Sequence, residues 1–138
     1  MSNVTPIRDK LPENEKITIN LGFVDLGRID LLVQEGFYSN RSDFIRTAIR
    51  NQIEAQGDVV RKSVERHTME LGLRDYTKED LEALRDAGEM LHVKVVGLAR
   101  FAPDITPELA RQTIGTITVL GAIQASPELK KALADRIS

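Results

Sequence analysis

The sequence has no cysteine and no tryptophan, and only four phenylalanines and two tyrosines among 138 residues. Without cysteine there is neither a disulfide nor a thiolate metal ligand, a usage that fits the cytoplasm. So few aromatic rings give little from which to build a stacking platform for single-stranded nucleic acid. No run of 18 apolar residues offers a membrane span. The opening Met1-Ser2-Asn3-Val4-Thr5-Pro6 lacks the charged-then-apolar order of a secretory signal. Strong charge of one sign is missing too. The formal net charge is −2, with 11 Lys/Arg against 11 Asp/Glu in residues 1–74 and 8 against 10 in residues 75–138. Affinity for a polyanion would therefore have to come from cations gathered on one face.

Catalytic constellations are also wanting. There is no Ser/His/Asp or Cys/His set and no glycine-rich phosphate loop, and Glu79/Asp80 reads as a solvated helix pair. The two histidines, His67 and His92, lie far apart and read as structural residues, so neither a metal site nor a cofactor is expected. The sequence does not read as an enzyme.

What is present begins after residues 1–13. This stretch holds Pro6 and Pro12 without periodicity and reads as a flexible arm. Lys16-Ile17-Thr18-Ile19-Asn20-Leu21 alternates polar and apolar and predicts a strand, with Lys16, Thr18 and Asn20 on one face and Ile17, Ile19 and Leu21 on the other. A helix follows at once, so the strand has no sequence-adjacent partner, and a strand cannot stand alone. Pairing with the same strand of a second chain is the simplest remedy. From Val24 to Glu35, Leu26, Ile29, Leu32 and Val33 share a helical face, and Gly36 ends the helix. Asn40 caps the next helix, with Asp43 at the capping-box position. Its apolar stripe is Phe44, Ile45, Ala48, Ile49 and Ile53, while Arg46 and Arg50 read as a solvated face.

About 40 residues of strand, helix and helix are too few to bury a stable core. Two copies pairing their strands into a ribbon over four helices would suffice. The ribbon would show Lys16, Thr18 and Asn20 of each chain outward, and such a ribbon fits the major groove of B-DNA. The start of the second helix offers backbone N–H groups at the positive end of the dipole, suited to phosphate.

The ordered set Lys16-Ile17-Thr18-Ile19-Asn20-Leu21, Ile29-Asp30-Leu31-Leu32-Val33 and Gly36-Phe37-Tyr38-Ser39-Asn40-Arg41-Ser42-Asp43-Phe44-Ile45-Arg46 resembles the ribbon-helix-helix family of bacterial regulators, which includes Arc, methionine-repressor-like and CopG-type proteins. The resemblance spans about 40 residues. It implies an obligate intertwined dimer, base contacts from Lys16, Thr18 and Asn20, and phosphate contacts from Ser39, Asn40, Arg41 and Ser42. Gly22 stands where such proteins often carry proline, and Asn20 where a second cation is common.

Beyond this module (residues 14–57), Val60, Val64, His67 and Leu71 predict a connecting helix over 58–74, stopped by Gly72. Residues 75–138 read as a small α+β domain. It has a helix capped by Thr77 and strands at His92–Val96 and Thr113–Leu120. Two further helix starts, Thr106-Pro107-Glu108 and Ser126-Pro127-Glu128, pair a hydroxyl cap with proline. The segment around Val96-Gly97-Leu98 is echoed by Leu120-Gly121-Ala122, 24 residues later, but two echoes do not make a repeat protein. The fold class expected is α+β: an N-terminal ribbon-helix-helix module followed by a small α+β unit that joins dimers, senses an effector or docks a protein partner. The function expected is a sequence-specific double-stranded DNA-binding regulator, a repressor, acting as a dimer or higher oligomer in the cytoplasm. The alternative is an antitoxin whose C-terminal half binds a protein toxin.

Overall fold

The computed structural model describes residues 13–138, so the arm, with Arg8 and Lys10, lies almost wholly outside the described residues. The fold is α+β, with six α-helices and one three-stranded sheet among the described residues, divided into two compact units. None of these helices is long and apolar enough to cross a membrane.

The first unit, Asn14–Ser63, is helical. Helix α1 (Phe23–Gln34) and helix α2 (Arg41–Ala55) have the places and the caps that the periodicity predicts, and α3 (Gly57–Arg66) begins directly after them. Residues 14–22 form neither helix nor paired strand. The strand expected at Lys16–Leu21 is therefore absent from the single chain, for the reason that made it conspicuous: a ladder needs a second strand.

The exit from α3 differs from expectation. The Thr68 N–H donates to the Glu65 carbonyl at 3.1 Å and the Met69 N–H to the Val64 carbonyl at 3.0 Å. This pair of hydrogen bonds closes a Schellman cap. It requires a left-handed residue, and Thr68 takes φ 54°. Helix α1 ends in the same way, with glycine (Gly36, φ 89°) in that position. The chain then leaves as strand β1 (Glu70–Tyr76), where the spacing of Val64, His67 and Leu71 predicts more helix.

The second unit includes Val64–Ser138 and alternates strand and helix: β1, α4 (Lys78–Ala87), β2 (Leu91–Phe101), α5 (Pro107–Thr113), β3 (Ile114–Gln124) and α6 (Pro127–Ala132). The sheet is parallel throughout, in the order β1-β2-β3. Each helix starts on a hydroxyl cap: Thr77 with Asp80 in a reciprocal capping box, then Thr106 and Ser126 with proline next. The helices contribute Leu81, Leu109 and Leu129 to a core that meets Val93, Val95 and Ile117 of the sheet. A last turn brings Ile137 beside Ile117 as a parallel bridge, held where Arg136 Nη1 donates to the carbonyls of Arg111 and Ile114, both at 2.6 Å.

Gly72, Gly97 and Gly121 are aligned across the three strands. All have positive φ, at 125°, 138° and 123°. A Cβ on Gly97 would sit 2.1 Å from the Gly72 carbonyl oxygen, and one on Gly121 2.0 Å from that of Gly97. The strands thus run through these glycines, in a conformation closed to L side chains, and continue to Phe101 and Gln124. The echo of Gly97 by Gly121 has a third member, Leu71-Gly72-Leu73 with its cap Thr77-Lys78-Glu79, 25 residues before Gly97. Three strand–helix units stacked in chain order bury one continuous core, as repeats do.

Candidate nucleic-acid interface

Lys16, Thr18 and Asn20 are all exposed, alternating with Ile17 and Ile19, which are 72% and 61% exposed. Were this segment paired as a strand, alternate side chains would take opposite faces, with the polar trio on one and the two isoleucines on the other. The polar set supplies a cation, a hydroxyl and a carboxamide. Phe23, at the start of α1, is 91% exposed. Within Asn14–Ser63 only Ile29 is buried, and the stripe of α2 leaves Ile49 and Ile53 open to solvent. The stripe of α1 is half-buried or buried, whereas Ile17, Ile19, Phe23 and the distal stripe of α2, Ile49 and Ile53, present apolar surface that the single chain does not cover.

Ser39, Asn40, Arg41 and Ser42 lie together, all exposed, where α2 begins. The Asn40 Oδ1 accepts from the Asp43 N–H at 2.8 Å, and the Asp43 carboxylate accepts from the Ser39 N–H at 2.9 Å. Tyr38 meets Phe44 edge-to-face at 5.0 Å between ring centres, which fixes the entry turn. The amides of Arg41 and Ser42 belong to the first turn, where no carbonyl lies a turn behind to receive them, and they point out along the helix axis.

Arg41 is not simply offered to solvent. Its Nε and Nη2 donate to Oδ1 and Oδ2 of Asp30, both at 2.8 Å, tying the start of α2 to the middle of α1. The Arg41 hydrogen bonds and charge hold the Asp30 carboxyl below the usual carboxylate range, and Asp30 in turn raises Arg41. The fork leaves Nη1 as a donor, so phosphate contact and the ion pair can coexist on one guanidinium. Asp30 was the residue that sequence reasoning left without a role: it lies 11 positions from its partner, and only the packing of α1 on α2 joins them.

Arg46 and Arg50 are exposed on α2, as a solvated face requires. His67 is exposed just past α3, and His92 Nδ1 lies 2.9 Å from the Thr116 hydroxyl. Among the described residues no three His, Cys, Asp or Glu side chains gather as metal ligands.

None of the curated proteins and none of the solved structures matches the chain. The model of a family described as the Ribbon-Helix-Helix transcriptional regulator family matches residues 12–130, which takes in the segment before α1, α1, α2 and nearly all of the β-α repeats. The chain therefore belongs to the ribbon-helix-helix transcriptional regulator family.

Proposed function

We propose that the protein is a homodimeric, sequence-specific double-stranded DNA-binding repressor. The observation that carries this reading is the uncovered apolar surface of the first unit: Ile17 and Ile19 on a segment with no strand pairing in its own chain, and Ile49 and Ile53 on α2. A second copy would pair residues 16–21 into a two-stranded ribbon and bury these side chains beneath it. That burial contributes about 1.5–3 kcal/mol for each large apolar side chain removed from water. The same pairing sets Lys16, Thr18 and Asn20 of both chains on the outer face, shaped for the major groove. Asn40, Ser42 and Arg41 would then position the dimer by phosphate contacts, which carry no sequence information directly. A dimer seated in a promoter groove excludes other proteins from it, and repression follows from occupancy.

The packed core of the β-α unit, with Leu81, Val93 and Ile114 all fully buried, supports a regulator over an antitoxin whose tail folds only on its toxin. Light scattering of the full chain tests the reading: a mass of two chains is expected at micromolar concentration, and a folded monomer would overturn it. Hydrogen exchange on the same sample should find Val93–Val96 and Ile117–Leu120 slow. Rapid exchange there would favour the antitoxin.

A further inference from the structure

Among the described residues, the helices of the second unit cover one face of its sheet. Val93, Val95, Ala99 and Ile117 point into the core formed with α4, α5 and α6. Their neighbours along the strands point the opposite way, and across the register they form two rows of three: Leu71, Val96 and Leu120, then Leu73, Leu98 and Ala122. Leu71 is 66% exposed, Leu120 62% and Leu73 41%. Parallel sheets are ordinarily covered on both faces, and six apolar side chains in register are a patch rather than scattered exceptions.

Among the described residues, charge on this face lies beyond the patch. Arg100 and Asp75 follow it, paired at 2.8 Å, with the Glu13 carboxylate 3.7 Å from the same guanidinium, while Lys94 precedes it beside Thr118. A neutral, apolar centre suits neither phosphate nor an acidic peptide. Two rows of three on strands about 4.8 Å apart, with about 6.6 Å between rows, give a footprint of about 150 Å² per copy. A free partner needs about 800 Å² per side for stable association, so this patch alone would not hold one. A second copy of the same unit is different. The dimer of the first units would tether it through its own chain, at an effective concentration on the order of millimolar.

We infer that the two β-α units of one dimer pack face to face through Leu71, Leu73, Val96, Leu98, Leu120 and Ala122. The inference rests on the dimer proposed above. A twofold pairing of identical faces brings the central strand of each sheet, β2, across its own counterpart. Residue 98 of one copy then lies near residue 98 of the other, whichever way the strands run.

The natural absence of cysteine gives a clean test in the full-length protein. Leu98→Cys should form a covalent dimer under mild oxidation, at a rate that does not change over a tenfold range of protein concentration. Lys130→Cys, exposed on α6, should cross-link at least tenfold more slowly once each thiol is corrected for its rate with a small disulfide reagent. Val96→Cys repeats the test should Leu98→Cys impair folding. A dimeric mass with cross-linking no faster than the Lys130→Cys control would overturn this inference and leave the dimer standing. A rate proportional to concentration would place the contact between dimers and overturn the pairing within one. A monomeric mass would remove the dimer itself.

Discussion

The Asp30 carboxylate grips the Arg41 guanidinium through two 2.8 Å bonds, so a cation at the start of α2 carries its own counter-ion. A phosphate that reaches Arg41 must share it with Asp30. Replacing Asp30 by Asn removes the negative charge beside the phosphate and should tighten binding to specific and random duplexes alike. Arg41→Ala should weaken both and lower the slope of log affinity against log salt by about one. Titrations at several salt concentrations check both, and weaker binding by Asp30→Asn would mean that the fork matters as a clamp more than as a charge.

The aligned glycines make a sharp stability prediction. Gly97→Ala places a methyl 2.1 Å from the Gly72 carbonyl oxygen, a backbone atom that cannot swing aside, and forces alanine to φ 138°. The backbone strain alone costs about 1–3 kcal/mol, and the collision adds to it. Urea denaturation should show the β-α unit unfolding first or not folding at all. Gly57→Ala, where nothing lies within 4 Å, should change stability little.

Thr68 invites the opposite change. A β-branched residue at φ 54° pays for a conformation that glycine adopts freely. Thr68→Gly should raise stability by about 1 kcal/mol, read as a higher urea midpoint with an unchanged slope. A lower midpoint would mean that the threonine side chain makes a contact that outweighs its strain.

Three carboxyls are held low in the folded chain: Asp30 by the Arg41 fork, Asp80 by the Thr77 N–H and hydroxyl of the capping box, and Asp135 by Arg111. Folded values below unfolded ones contribute stability that is fully present above the unfolded value of about 3.9. That stability is lost as pH falls through the lowered folded values. The urea midpoint should be level from neutral pH to about pH 5 and drop below about pH 4. Asp80→Asn should start lower at pH 7, having lost part of its cap, and should fall less steeply in acid.

Helices α1 and α2 were legible because their signals are local: Gly36 closes one helix, and Asn40 with Asp43 opens the next. The alternation at Lys16–Leu21 was legible too, but the single chain forms no strand there. Strand β1 was not legible, because Val64, His67 and Leu71 keep helical spacing and Gly72 looks like a stop. Only β2, 25 residues on, makes it a strand. Strands β2 and β3 read short at Val96 and Leu120 for the same reason: Gly97 and Gly121 resemble breakers until the ladder explains them. Ser39 to Ser42 are contiguous, and as an exposed helix start they were legible in sequence. The Asp30–Arg41 fork spans two helices and was not.

The central claim is that the segment holding Lys16, Thr18 and Asn20 reads base edges while the start of α2 holds the backbone. Selection from a pool of random DNA duplexes tests it most directly, comparing the full chain with a variant carrying Lys16→Ala, Thr18→Ala and Asn20→Ala together. The parent should enrich one motif with twofold symmetry. The variant should keep weak, salt-sensitive binding without enriching that motif, since each lost base contact costs about 1–3 kcal/mol of discrimination. Enrichment of the same motif by both proteins, or of none by the parent at low salt, would contradict the account.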